Sequence, residues 1–246
     1  MNLTDRAFWL NYWENKKNLA LEVSERYILS SYLKKFKEEN DIKSAIEIGG
    51  FPGYYSIYLK KWLNVDTTLL DYVIHPDVLD EVMAKNAMTK EEITLIETDL
   101  FKFDPKEKYD LVMSVGVIEH FADTKNIVEM HTKFMAVDGV LFVNIPNFTG
   151  FNGWLQRTFD PEIYAVHNIS SMNIGLLKGI CEELQLKNIT VEYYGGFMMW
   201  LENLHTKSFF FKLAFKTTWF ILKVISKIIP LESKIFSPYI NIVAYK

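Results

Sequence analysis

The chain has 246 residues, of which 49% are hydrophobic and 15% aromatic, and 31 acidic against 27 basic side chains leave a formal net charge of −4. That is apolar material for one sizeable core and one domain, 1–246, and the charge balance excludes a global attraction to nucleic acid. A single cysteine, Cys181, excludes an intrachain disulfide, and its helical setting reads as a buried structural thiol in a reducing compartment.

Residues 5–17 carry Phe8, Trp9, Tyr12 and Trp13 at helical spacing. One aromatic face predicts a helix, either packed on the core or closed over a ligand. Asp5 and Arg6 precede any apolar run, which is not the plan of a secretory signal, so the expected location is cytoplasmic. A second amphipathic helix is predicted over 24–38, ended by Glu39-Asn-Asp41, so that 1–40 form an N-terminal helical cap.

Next comes Ala45-Ile-Glu-Ile-Gly-Gly-Phe-Pro-Gly-Tyr-Tyr-Ser56. The β-branched run to Ile48 predicts a buried strand, Gly49, Gly50 and Gly53 a tight turn, and 54–62 the following helix. Such a unit brings backbone N–H groups close to a ligand. The pattern G-x-G-x-x-G is not met, because Phe51 stands where its second glycine belongs if Gly49 is the first.

From there strands at 67–71, 93–97, 109–114 and 139–144 alternate with helices at 76–88 and 124–135. The alternation predicts an α/β fold, a Rossmann-like doubly wound and mostly parallel sheet with helices on both faces. After a helix over 172–184, the stretches 188–194 and 239–245 alternate as two further strands, giving seven. Ligands of such sheets bind beyond the carboxyl ends of the strands, and Glu47, Asp71 and Asp99 all lie at such ends. A carboxylate that accepts both vicinal hydroxyls of a ribose fixes the sugar and repels a 2′-phosphate. Asp71, 22 residues beyond Gly49, is placed for that role; the same spacing occurs in dinucleotide enzymes, and a turn-capping acid is the structural alternative.

Taken together, Glu47-Ile-Gly-Gly-Phe-Pro-Gly53, Asp71, Thr98-Asp99 and Asp110-Leu-Val-Met-Ser-Val-Gly-Val-Ile-Glu-His-Phe121 resemble the successive motifs of class I S-adenosylmethionine-dependent methyltransferases. The resemblance runs over 44–147, and Val117-Ile-Glu-His-Phe121 is similar to the segment of the small-molecule enzymes, including those of quinone and glycan pathways. It implies S-adenosyl-L-methionine as cofactor and no metal. Glu47, Gly49, Gly50 and Gly53 would hold the methionine portion, Asp71 the ribose hydroxyls and Asp99 the adenine amino group, with Tyr72, Leu100, Ser114 and Val115 completing the cofactor set. It also implies that the last two strands form an antiparallel hairpin at one edge. A nicotinamide-dependent reductase and a non-catalytic scaffold that keeps the fold are the alternatives.

Methyl transfer starts from a leaving group already activated on sulfur, so in-line placement supplies most of the acceleration, with a base if the acceptor is an alcohol. His120 and His167 are the candidates for that base, while His75 and His131 read as structural or exposed. Acceptor recognition is expected from Glu119 and from the long connection 145–166, through Asn147, Tyr164 and Arg157, the last suited to an anionic group. The expected acceptor is a small molecule, methylated at oxygen in preference to nitrogen or carbon, of the class of glycan precursors or lipid-attached intermediates.

About forty residues separate the last two strands, which makes 198–236 an insert. Its stretch 207–230 has five lysines and no acid. At ~100° per residue, Lys212, Lys216, Lys223 and Lys227 fall within about 60° of one another. This pattern predicts an interfacial helix, with 206–229 touching the inner face of the membrane, packing on the core or joining a homodimer.

Overall fold

Strands buried on both faces read as near-continuous apolar runs, and the first strand of this chain is of that kind. In the computed structural model, which describes residues 3–228 and 232–246, β1 (Ser44–Ile48) is buried from Ala45 onward. It lies between two parallel neighbours, β2 (Asp66–Asp71) and β4 (Tyr109–Val115), with Ile46 beside Thr68 on one side and Val112 on the other. Outside these run β3 (Thr94–Glu97) and β5 (Met135–Pro146), again parallel. β7 (Tyr239–Tyr245) pairs antiparallel with β5 and with β6 (Lys187–Tyr194). The order is β3-β2-β1-β4-β5-β7-β6, and β7 alone runs against the rest, as the resemblance implies. Strand order reverses between β1 and β4, where the sheet opens its ligand crevice.

The two faces of the sheet carry separate cores. On one, Leu33 and Phe36 of α2 (Ser30–Asn40), Ile57 and Tyr58 of α3 (Tyr54–Leu63) and Leu79 and Val82 of α4 (Pro76–Lys85) pack on Leu69, Leu111 and Phe142. On the other, Ile127 and Val128 of α5 (Thr124–Thr132) and Leu177 and Ile180 of α8 (Ile174–Glu183) pack on Ile46, Val112 and Val143. Each such fully buried aliphatic side chain contributes roughly 1.5–3 kcal/mol. Cys181 lies in the second core with no exposure, and burial pushes its thiol up to about 11.

Several boundaries differ from the sequence pattern for identifiable reasons. α2 begins at Ser30 and not at 24, because Val23 is held by Asn86 and Trp62 (2.7 and 3.0 Å) and Leu29 adopts φ +66 just before the helix. β5 begins at Met135, inside the predicted helix, where it pairs with Tyr109. The connection 145–166 holds α6 (Phe151–Phe159) and α7 (Pro161–Ala165).

α9 (Phe209–Ile228) occupies the insert. Phe211, Phe215, Trp219 and Leu222 pack on Leu155, Phe197, Met199 and Leu201, while Phe209, Phe210, Leu213, Phe220 and Ile221 are exposed. The helix is therefore attached along one side and apolar along another. The end of the predicted basic run, 229–230, and the side chain of Lys227 lie outside the described residues. Among the described residues no helix is long and apolar enough to cross a membrane.

Candidate active site

Contacts that leave no room for side chains shape the glycine turn after β1. Gly49 has φ +64, and a Cβ there would lie 2.7 Å from Cγ2 of Val117. At Gly50 a Cβ would meet Cδ of Glu47 at 2.2 Å. Glu47 is 2% exposed, and its Oε2 accepts hydrogen bonds from the Ser56 backbone N–H and hydroxyl at 2.7 and 2.6 Å, tying the turn to α3. Burial pushes its carboxyl up to about 7 against those bonds. Phe51, at the position of the missing glycine, turns its ring into the core and meets Trp13 edge-on at 5.0 Å.

Asp71 ends β2 with both oxygens engaged: Oδ2 accepts from the Phe51 backbone N–H at 2.9 Å and Oδ1 from that of Val73 at 3.1 Å. Burial pushes it up to about 6. Asp99 accepts from the Phe101 backbone N–H at 3.0 Å and stays partly exposed. Gly49, Asp71, Tyr72, Asp99 and Leu100 line one cleft, together with Thr98 and Phe101. Its strand-end carboxylates and apolar walls suit a nucleoside-bearing cofactor.

A second cleft adjoins the first, and Trp9, Trp13, Gly49, Gly116 and His120 line both. Its other walls include Val115, Glu119, Phe148, His167, Trp200 and Glu202. The imidazole rings of His120 and His167 have centroids 4.7 Å apart. Their Nδ1 atoms lie 3.0 and 2.6 Å from the carbonyls of Val166 and Ile163. A carbonyl only accepts, so each Nδ1 carries the hydrogen and each Nε2 keeps its lone pair. Burial pushes His120 down to about 3 and lowers His167 as well, so both rings are neutral near pH 7. Glu119 is 1% exposed, its Oε2 has no partner, and burial pushes its carboxyl up to about 8.

The outer wall of both clefts is α1 (Arg6–Asn15), a helix with no buried residue. The Leu3 N–H donates to the His120 carbonyl at 2.8 Å, and Trp9 meets the His120 ring edge-on at 5.1 Å. The aromatic face thus serves both packing, through Trp13 on Phe51, and enclosure of the clefts.

Other residues singled out from the sequence lie elsewhere. Gly50 and Gly53 shape the turn without lining the first cleft. Ser114 is buried against His131, whose Nε2 is 2.9 Å from its hydroxyl, so both are structural. Asn147 donates to the carbonyls of Lys234 and Ser237, at 2.9 and 2.8 Å, and holds that loop. Arg157 is exposed on α6, and Tyr164 stacks on Phe148 from behind; neither lines a cleft. The sequence pattern does not single out Phe148, Trp200 or Glu202. A signal for the last lies in Lys16, which pairs with Glu202 at 2.5 Å while donating to the Tyr12 hydroxyl at 2.8 Å.

A family model described as a methyltransferase domain matches residues 20–191, well over half of the chain. The malonyl-[acyl-carrier protein] O-methyltransferase 2 of Ilyobacter polytropus is 26% identical over 139 residues, 55% of this chain and 52% of that protein. The chain thus spans about half the length of the curated relative it matches. Among solved structures, an S-adenosylmethionine-dependent methyltransferase from Archaeoglobus fulgidus has a TM-score of 0.56 at 17% identity, covering 89% of this chain and 91% of its own. The plantazolicin methyltransferase BpumL, solved with S-adenosylhomocysteine and a triazolic substrate analogue, has a TM-score of 0.58 at 12% identity, covering 98% and 90%. Phosphoethanolamine N-methyltransferase 2 of Haemonchus contortus, bound to S-adenosylmethionine, has a TM-score of 0.59 at 14% identity, covering 88% of this chain and 51% of its own. The family match and the antiparallel strand pair at the sheet edge agree: the chain belongs to the methyltransferase-domain family and has the fold of class I S-adenosylmethionine-dependent methyltransferases.

Proposed function

We propose that this methyltransferase delivers its methyl group to an oxygen of a small acceptor seated in the second cleft, of the class of glycan precursors or lipid-attached intermediates. The observation that carries the proposal is the junction at His120, whose ring borders both clefts and lies against that of His167. When bound, S-adenosylmethionine supplies a methyl group activated on a positively charged sulfur. The first cleft fits it: Asp71 and Tyr72 would hold the ribose, Asp99 and Leu100 the adenine, and the Gly49 to Gly53 turn, braced from beneath by Glu47, the methionine portion. The free Nε2 atoms of His120 and His167 are the groups that engage the acceptor's hydroxyl, and α1 excludes water from the junction. The exposed apolar face of α9 supports a lipid-attached acceptor.

Asp71→Ala is expected to weaken S-adenosylhomocysteine binding by about 1.5–3 kcal/mol, the range for hydrogen bonds to a charged group. Calorimetry measures it, and an unchanged dissociation constant removes the ribose role. His167→Ala is expected to lower turnover on the order of 100-fold with the cofactor affinity intact, and unchanged turnover excludes it from the chemistry. Labelled S-adenosylmethionine tests the acceptor class on lipid-linked glycans and on acylated carrier protein side by side. Label in an organic-soluble product that survives mild base, as an ether does, supports the proposal. Label confined to a base-labile ester on the carrier protein sinks it.

A further inference from the structure

Glu119 presents a problem that the methyl-transfer reading does not solve. Its carboxylate is 1% exposed and its Oε2 has no hydrogen-bond partner. Among the described residues no lysine or arginine lines the second cleft to offset its charge, and the nearby Lys16 is occupied by Glu202 and Tyr12. A buried unpaired carboxylate costs several kcal/mol unless a proton or a cation joins it.

The atoms around it could hold the cation. Glu119, His120 and His167 each offer one donor atom, and these atoms lie within 4.8 Å of one another. Both imidazoles donate through Nδ1 to backbone carbonyls. Histidines that bind metals almost always donate their other ring N–H in this way, which fixes the tautomer and leaves the second nitrogen free. Metal–ligand bonds of about 2.0–2.2 Å place donor atoms roughly 3–3.5 Å apart, so side-chain shifts on the order of 1 Å would close the triad. We propose that Glu119, His120 and His167 bind one divalent first-row transition-metal ion, of the Mn²⁺ to Zn²⁺ class, at the wall of the second cleft.

Two imidazoles and one carboxylate select against Mg²⁺ and Ca²⁺, which take oxygen ligands. Three protein ligands leave coordination positions open toward the cleft. Within the acceptor reading above, those positions would receive the acceptor's oxygen, so that the histidines act on it through the ion. The binding site itself stands without that reading.

The test uses the full, untagged chain stripped with chelator and titrated with Co²⁺, followed by its visible absorption, and with Zn²⁺ by calorimetry. The expected result is a single equivalent bound, with no competition from Mg²⁺. His167→Ala and Glu119→Gln should each weaken Co²⁺ binding at least about tenfold, whereas His205→Ala, at an exposed histidine outside the cluster, should leave it unchanged. S-adenosylhomocysteine binding, measured on every variant, reports that the fold is kept, and Glu119→Gln, nearly isosteric, decides the matter if His167→Ala fails to fold. No stoichiometric binding of Co²⁺ or Zn²⁺, or unweakened Co²⁺ affinity in the cluster variants, overturns the proposal. Loss of the metal result with intact cofactor binding leaves the methyltransferase reading standing.

Discussion

Gly50→Ala is expected to lower the unfolding free energy by about 3 kcal/mol and to weaken S-adenosylhomocysteine binding at least tenfold. The reason is volume. Gly50 has no left-handed backbone angle, unlike Gly49 and Gly53, so an alanine there meets no intrinsic strain. Its methyl would instead land 2.2 Å from both Cγ and Cδ of Glu47. Glu47 cannot swing away cheaply, because its Oε2 holds the N–H and the hydroxyl of Ser56 in a site with 2% exposure. Each hydrogen bond to a charged group lost there costs about 1.5–3 kcal/mol. A double-mutant cycle isolates the effect. In a Glu47→Ala background the space is open, and Gly50→Ala should cost less than about 1 kcal/mol, a coupling of at least ~2 kcal/mol in urea unfolding. Additive losses would show that the glycine is there for another reason.

Glu47 also shows what a sequence pattern carries and what it leaves out. An acid before a glycine turn is legible as part of a nucleotide site, because the strand ends there and the turn opens toward a ligand. Its aim is not legible, since that depends on Ser56, which reaches Glu47 only once α3 has docked. The central strands were readable for a related reason: buried parallel strands such as β4 and β5 leave near-continuous apolar runs, and Asp71 ends β2. α6 was hidden because Gly150 and Gly153 look like breakers, although Gly153 sits in the helix because a Cβ there would fall 1.7 Å from the Phe148 carbonyl. His120 and His167 stood out singly, but their contact depends on α7 and the loop after it. There the Asn168 N–H donates to the Glu119 carbonyl at 2.6 Å. Trp200 and Glu202 follow the sheet-edge strand β6 into the second cleft, a placement that no local spacing records.

The second large effect is expected at α9: the chain should sediment with vesicles rich in anionic lipid and remain free of neutral ones. At ~100° per residue, Phe211, Phe215, Trp219 and Leu222, the side that packs on the body, fall within about 80°. Lys212, Lys216 and Lys223 form a ridge along one flank of that side, within about 40°. Phe209, Phe210, Leu213, Phe220, Ile221, Val224 and Ile225 then occupy a further ~160°, each of them at least 40% exposed. An apolar face turned away from the core and edged by lysines matches a helix lying in the headgroup region. Each lysine near an anionic surface contributes about 1 kcal/mol, so replacing the three by glutamate should weaken binding by at least ~3 kcal/mol, more than a hundredfold. Raising the salt should act in the same direction. Phe209→Ser with Phe220→Ser should weaken binding at every salt concentration, because apolar burial is not screened. Since Phe197, Met199 and Leu201 contact the packed side of α9 while Trp200 lines the second cleft, docking here would bring the acceptor cleft to the lipid surface. Failure to bind vesicles, with a concentration-dependent dimer abolished by the same serines, would give this face to a second copy of the chain and remove the support for a lipid-attached acceptor.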